Sequence, residues 1–186
     1  DGLKLAVNVG AMLIGFIALI AVLDVILNWM DSIIDGRLIG GIYTAYETSG
    51  LISPAKGEYI GYFPGSLQTF FGTILSPLAY MMGVPWDETE QVGNLLGIKL
   101  SLNEFVAFGT LGNYINSGML SDRAMIISTY ALCGFANFSS IGIQIGGISA
   151  IAPSRKSDLA KVSLKAMFGG ALASWLTATI AGILII

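Results

Sequence analysis

The sequence predicts an all-α integral membrane protein, and three observations carry that prediction. Of its 186 residues, 54% are hydrophobic and only 11% are charged, whereas soluble domains carry about 25% charged residues. Two stretches, 5–23 and 166–186, approach the roughly 20 apolar residues that a membrane-spanning helix needs. Between them lie apolar segments interrupted by glycines and polar residues, which predict irregular membrane elements in addition to spanning helices.

Composition also excludes several classes of function. The net charge is −3 and the basic residues cluster only in one short loop, so the chain offers no surface for nucleic acid. It has no histidine and a single cysteine, Cys133, which argues against disulfides, zinc sites and the usual nucleophile-base pairs. We therefore expect no enzyme, no metal site and no cofactor. Because the chain opens on Asp1 without an initiator methionine and shows no signal peptide, we expect it to be part of a longer protein.

The first part of the chain predicts one span and a polar connection. Residues 1–30 form the first transmembrane helix, with Asp24, Asn28 and Asp31 expected to mark its far end. Residues 31–65 are rich in glycine, proline and charge, which predicts an extramembrane or interfacial connection.

Residues 66–86 are apolar but contain Pro77 and Gly83. We interpret them as an interfacial helix lying along the membrane. A straight span remains the alternative.

Residues 87–118 predict a re-entrant helical hairpin. Its two apolar pieces, Val92–Ile98 and Phe105–Leu111, are each too short to cross a bilayer, and polar residues lie between them. A non-helical tip at membrane depth is tolerated only against protein or a water-filled cavity. A binding site is therefore expected at the tip.

The last third predicts a broken transmembrane helix and a final span. Residues 121–151 are long enough to cross, but their glycines and polar side chains cluster in the middle, which indicates an unwound centre. Residues 158–186 form the C-terminal transmembrane helix. The basic loop 153–165 is expected on the cytoplasmic side by the positive-inside rule.

The candidate site residues come from the hairpin and the broken helix. An ionisable side chain such as Glu104 costs roughly 2.5–3.5 kcal/mol at membrane depth on insertion scales, so it faces a cavity or a partner. An ion pair with Lys99 is the plain alternative. Asn137 and Ser140 follow Gly134 in the broken helix, where interhelical hydrogen bonding is the alternative. A carboxylate combined with amide and hydroxyl groups suits a small, neutral, hydroxyl-bearing solute.

Several motifs resemble one known family. G-I-K-L-S-L-N-E-F-V-A-F, residues 97–108, matches the signature of the concentrative nucleoside transporters: Gly or Ala, any residue, Lys, three residues, Asn-Glu-Phe-Val-Ala, then an aromatic residue or Met. A-L-C-G-F-A-N-F-S-S-I-G from Ala131, V-P-W at 84–86 and L-K-L-A-V-N-V-G-A-M-L-I-G-F at the start are similar to the same family in the same order.

The resemblance implies a cation-coupled nucleoside symporter that works by alternating access and imports nucleosides such as uridine. It implies a homotrimer in the plasma membrane, or in the inner membrane of a bacterium, with this chain as the second inverted repeat. Residues 1–30 would belong to the scaffold at the trimer interface, and the hairpin, broken helix and last span to the moving transport domain. The coupling ion would be Na⁺ or H⁺, held by the other half of the protein.

The resemblance also assigns roles to site residues. Glu104, Asn137 and Ser140 would hold the ribose, and Phe135 would contact the base; judged alone, Phe135 is more typical of packing. The role of Ser139 stays open. A transporter or channel for another small hydroxyl-bearing solute is the main alternative, followed by a membrane-embedded enzyme and a structural subunit.

Overall fold

A computed structural model of the protein describes residues 2–44 and 58–185. The fold is an assembly of helices with one short β-ribbon. The prediction of an almost entirely helical chain is confirmed. The elements in chain order are α1 (Gly2–Ile33), a π-helical turn (Ile34–Ile39), β1 (Ile42–Thr44), β2 (Glu58–Ile60), α2 (Leu67–Met81), a 3₁₀ turn (Trp86–Glu88), α3 (Thr89–Ser101), α4 (Glu104–Asn116), α5 (Asp122–Leu132), α6 (Phe138–Ile151), a 3₁₀ turn (Pro153–Arg155) and α7 (Lys156–Leu184).

Two helical stretches of the described chain are long and apolar enough to cross a membrane. They are Ile17–Ile39, with a mean hydropathy of 2.0, and Pro153–Leu184, with 1.6. Both present large apolar side chains outward: Val25 is 68% exposed on the first and Ile183 is 71% exposed on the second. Apolar surfaces of this kind need lipid or further protein around them.

The first helix does not end where its acidic residues begin. We expected Asp24, Asn28 and Asp31 to mark the end of the span, but α1 continues to Ile33 and a π-helical turn extends it to Ile39. The spacing of Asp24, Asp31 and Asp35 places the three carboxylates along one side of the helix. All three are buried.

The three buried carboxylates each accept a hydrogen bond from the backbone of a distant segment. We name this set, which continues from α1 into the π-helical turn, the acidic face of α1 (Asp24, Asp31 and Asp35). A carboxylate that accepts backbone N–H bonds can stay in a low-dielectric site that would otherwise exclude it. The bonds run from Tyr59 N to Asp31 Oδ2 at 2.7 Å, from Phe63 N to Asp35 Oδ2 at 2.6 Å and from Leu67 N to Asp24 Oδ1 at 2.7 Å. They hold the approach to α2 against α1.

The predicted connection 31–65 contains the β-ribbon. Strands β1 and β2 pair antiparallel, with Ile42 opposite Ile60 and Tyr43 opposite Tyr59. The rings of Tyr43 and Tyr59 lie with their centroids 4.9 Å apart. Residues 45–57 lie outside the described part of the chain, so the role predicted for this stretch stays a prediction.

Close helix packing places the hairpin. A Cβ on Gly93 of α3 would lie 2.5 Å from the Gly72 carbonyl oxygen and 2.6 Å from Ser76 Oγ, both on α2. Only glycine permits so short a distance between the two backbones. Helix α2 therefore packs directly against α3, the first helix of the hairpin.

A cluster of polar contacts joins the start of α5 to the end of α7, to the turn after α2 and to the 3₁₀ turn Trp86–Glu88. Arg123, at the start of α5, donates Nε to the Gly83 carbonyl oxygen at 2.7 Å and Nη2 to the Gly182 carbonyl oxygen at 2.8 Å, and its Nη1 bonds the Ile185 carbonyl oxygen. Beside it, Ser121 Oγ donates to Glu88 Oε2 at 2.8 Å. We call the three Arg123 bonds the Arg123 clamp. It ties the start of α5 to the end of α7 and to the turn after α2.

Candidate solute-binding site

The tip of the hairpin is a short turn between two helices. Helix α3 ends at Ser101 and α4 begins at Glu104, with Asn103 as its N-cap. The Asn103 side chain accepts the Val106 N–H at 3.0 Å, as capping asparagines do. The Glu104 carboxylate lies at a helix N-terminus, where the helix dipole stabilises negative charge. The local sequence thus places an acidic group at the tip.

The predicted broken helix is interrupted between α5 and α6. Helix α5 ends at Leu132, α6 begins at Phe138, and Asn137 is the N-cap of α6. Asn137 Oδ1 accepts the Ser140 N–H at 2.7 Å, while Ser140 Oγ accepts the Asn137 N–H at 3.2 Å. This reciprocal capping box satisfies two otherwise unpaired N–H groups. It fixes both side chains at the interruption.

The hairpin and the interruption meet through two predicted site residues. Asn137 Nδ2 donates to Glu104 Oε2 at 3.0 Å. Asn137 is fully buried and Glu104 is half-buried. A carboxylate has about four acceptor sites, and Asn137 uses one of them. Glu104 can therefore accept further hydrogen bonds from a hydroxyl-bearing ligand.

Ser139 adds a second link between the same elements. Its hydroxyl lies 3.0 Å from the Leu102 carbonyl oxygen in the hairpin turn and 2.7 Å from Asn137 Oδ1. One hydroxyl proton serves one of these acceptors at a time. Ser139, whose role the sequence left open, lies buried at the junction of hairpin and broken helix.

Lys99 supplies a third link, through a backbone carbonyl that the sequence did not indicate. The side chain is completely buried, and its Nζ donates to the Ala131 carbonyl oxygen at 3.0 Å. The expected alternative, an ion pair between Lys99 and Glu104, does not form: within the described residues, Arg155 and Asp158 make the one salt bridge within 4.0 Å. The signal that could have pointed to Lys99 was its position in an otherwise apolar helix turn.

Phe135 and Ser140 also line a cavity beside the interruption. It has a volume of about 360 Å³ and lies between α6 and α7, where Gln144, Val162 and Met167 complete much of its wall. Phe135 is 50% exposed. The structure thus joins Glu104, Asn137 and Ser140 by hydrogen bonds and places Phe135 on the neighbouring cavity wall.

The chemistry of this arrangement is hydrogen bonding. In the part of the chain that the structure describes, no three acidic, histidine or cysteine side chains cluster to hold a metal ion. The site instead combines a carboxylate, an amide and hydroxyl groups at the meeting point of two helix N-termini. Such a set can bind an uncharged solute by forming hydrogen bonds with the hydroxyl groups of the solute.

The chain is similar to nucleoside transporters over its whole length. A family model described as the C-terminus of the Na⁺-dependent nucleoside transporter matches residues 1–182. The uncharacterised transporter YutK of Bacillus subtilis is 42% identical over 184 residues, which cover 99% of this chain and 39% of YutK. Sodium/nucleoside cotransporter 1 of Oryctolagus cuniculus is 37% identical over 197 residues, covering 99% of this chain and 26% of that protein.

Solved structures of the transporter CNTnw have the same fold. A variant in an intermediate state matches with a TM-score of 0.72 at 36% identity, covering 97% of this chain and 39% of that chain. An inward-facing, substrate-bound state matches with a TM-score of 0.68 at 35% identity, covering 96% and 38%. The chain therefore spans about two fifths or less of the length of these relatives. It belongs to the Na⁺-dependent nucleoside transporter family, a family of membrane transporters, and corresponds to its C-terminal part.

Proposed function

We propose that this chain contributes the ribose-binding half of a cation-coupled nucleoside symporter. The observation that carries the proposal is the hydrogen bond from Asn137 Nδ2 to Glu104 Oε2 at 3.0 Å, which joins a hairpin tip to a helix interruption. Glu104 accepts hydrogen bonds from ribose hydroxyls. Asn137 and Ser140 complete the polar wall, and Phe135 provides an apolar surface near the base.

The lengths of the helices support the proposed membrane arrangement. The stretches Ile17–Ile39 and Pro153–Leu184 each contain one membrane span, because each exceeds the roughly 20 residues that a span requires. Helices α3 and α4, with 13 residues each, form a re-entrant hairpin, and α5 with α6 forms a broken transmembrane helix. Helix α2 lies at the interface. The basic stretch 153–165, which forms a 3₁₀ turn and the start of α7 instead of the predicted loop, faces the cytoplasm.

Transport proceeds by alternating access in a homotrimer of the plasma membrane. The hairpin and broken helix close around the nucleoside and move together against the scaffold that includes α1. Na⁺ is the proposed coupling ion, because the matching family model is described as Na⁺-dependent and the rabbit relative as a sodium cotransporter. The uncharged nucleoside itself supplies no electrical driving force, so the ion gradient does.

The test is uptake by the full gene product in proteoliposomes. Glu104→Gln should lower Na⁺-driven uridine uptake about 10- to 100-fold, because a hydrogen bond to a charged group contributes roughly 1.5–3 kcal/mol. The matched control is Glu90→Gln in the same hairpin, where the side chain is exposed and uptake should stay near the wild-type rate. Wild-type uptake by Glu104→Gln would refute the assignment of this residue.

Competition distinguishes a nucleoside from another hydroxyl-bearing solute. A site that reads ribose together with a base should be blocked by unlabelled nucleosides, and only weakly by free ribose or free bases. Strong inhibition by ribose alone would instead favour a carrier of sugars or polyols.

A further inference from the structure

A completely buried lysine lies behind the proposed solute site. Lys99 is 0% exposed and belongs to the last turn of α3. Burying a charged group is unfavourable unless partners compensate for the lost water. Since Glu104 does not form a close ion pair with it, the partners of Lys99 indicate what the lysine does.

The partner of Lys99 is the end of the first half of the broken helix. Ala131, whose carbonyl oxygen accepts the Lys99 Nζ at 3.0 Å, is the second-last residue of α5. The last four carbonyls of a helix have no partner within the helix. The helix dipole also places partial negative charge there, which attracts a cation. The ammonium group therefore both satisfies and neutralises the end of α5.

The backbone that follows Ala131 turns directly over the ammonium group. Gly134 N donates to the Leu132 carbonyl oxygen at 2.7 Å in a tight turn. A Cβ on Gly134 would lie 3.5 Å from Lys99 Nζ and would overlap Ser174 Oγ of α7. The interruption is thus packed between Lys99 on one side and α7 on the other.

The hairpin holds the interruption on both sides. Lys99 binds the residue before it, and the Leu102 carbonyl oxygen lies 3.0 Å from Ser139 Oγ after it. Asn137 stands between these two anchors and meets Glu104. A shift of the α5 end would therefore move Asn137 relative to the carboxylate.

We propose that Lys99 is a positioning residue for the solute: it fixes the end of α5 so that Asn137 presents its amide N–H to Glu104. Lys99 itself does not touch the nucleoside. The inference rests on the proposed function, because the position of Asn137 matters through nucleoside binding. It gives Lys99 a role different from that of the groups that contact ribose.

The decisive measurement is a double-mutant cycle of uridine affinity in the purified full gene product. The variants are Lys99→Met, Asn137→Ala and the double variant. Each single change should weaken uridine binding about tenfold, and the double variant should be no weaker than Asn137→Ala within about twofold, because Lys99 acts through Asn137. Additive losses, or wild-type affinity in Lys99→Met, would overturn the inference.

A second readout does not depend on any nucleoside. Hydrogen–deuterium exchange should become faster in peptides covering residues 131–140 of Lys99→Met and stay unchanged in peptides from α7. The matched control is Lys161→Met, since Lys161 is an exposed lysine of α7; it should change neither exchange nor affinity. Unchanged exchange over 131–140 in Lys99→Met would contradict the positioning role.

The outcomes separate this inference from the proposed function. If the wild-type protein binds no nucleoside, the proposed function fails and the exchange measurement alone decides the role of Lys99. If it binds uridine but the cycle is additive, only the Lys99 inference fails. Should Lys99→Met not fold, Lys99→Leu replaces it in the same cycle under the same criteria, because leucine also lacks a donor for the Ala131 carbonyl oxygen.

Discussion

The orientation of one side-chain amide determines the polarity of the proposed site. Asn137 Oδ1 is engaged by the Ser140 N–H at 2.7 Å, so the capping interaction turns Nδ2 toward Glu104. An asparagine amide that could rotate freely would present its oxygen or its nitrogen equally well. Here helix capping selects the nitrogen. The secondary structure of α6 thereby determines which group faces the carboxylate.

This orientation predicts the effect of Asn137→Asp. Aspartate is also a good N-cap, so α6 should remain intact, but its second oxygen would face Glu104. Two carboxylates at this distance share one proton at acid pH and repel each other once both are ionised. Uridine binding, measured by calorimetry, should be nearly lost at about pH 7.5 and partly restored at about pH 5.5.

The control for this variant is Asn113→Asp on the exposed side of α4. Its ratio of affinities at the two pH values should equal that of the wild-type protein. A variant Asn137→Asp that binds uridine equally well at both pH values would show that Asn137 does not donate to Glu104 in the binding state.

At the scale of elements, apolar length and motif predicted the helices better than the contacts that join them. The apolar pieces on either side of Glu104 became α3 and α4. The predicted interruption of 121–151 occurs at Gly134, between α5 and α6, whereas the later glycines of this stretch lie inside α6. The sequence predicted the end of α1 too early, because aspartates in an apolar helix are typical of an end that faces water. Their N–H donors lie 28 and 43 positions away, and no local pattern reveals such partners.

The α2–α3 contact predicts an element-scale effect of a single methyl group. Gly93→Ala should lower the apparent melting temperature in detergent, because its Cβ would meet the Gly72 carbonyl oxygen at 2.5 Å. Separating closely packed helices or straining their backbones typically costs about 1–3 kcal/mol.

The comparison is Gly109→Ala in the middle of α4, where an added Cβ meets nothing within 4 Å. Alanine favours a helix over glycine by about 1 kcal/mol, so this variant should melt at the same temperature or higher. Equal melting temperatures for the two variants would mean that α2 and α3 do not approach this closely.

At the scale of the whole molecule, long-range side-chain-to-backbone bonds hold the elements together. The Arg123 clamp joins residues 40, 59 and 62 positions apart. The Ser139 hydroxyl and Lys99 ammonium do the same at the site, over 37 and 32 positions. The motif indicated Glu104, Asn137 and Ser140, but the roles of Lys99 and Arg123 depend on backbone carbonyls. A carbonyl is present at every residue, so the sequence cannot mark which one is used.

The clamp predicts a global loss of stability in Arg123→Met. The change removes charged donors from carbonyls at the end of α7, and each such bond contributes roughly 1.5–3 kcal/mol. The apparent melting temperature should fall by several degrees. Arg155→Met is the matched control: Arg155 pairs with Asp158 on the exposed surface, where an ion pair contributes at most about 1 kcal/mol. A fall of equal size in both variants would show that the clamp stabilises the fold no more than an exposed ion pair does.

The acidic face of α1 has a consequence for which substitutions the neighbouring segment tolerates. Its three carboxylates bind the N–H groups of Tyr59, Phe63 and Leu67 and not their side chains. Every amino acid except proline carries that N–H group. The three hydrogen bonds themselves therefore set no requirement on side-chain identity, and proline is the one residue that would remove the bond at each position.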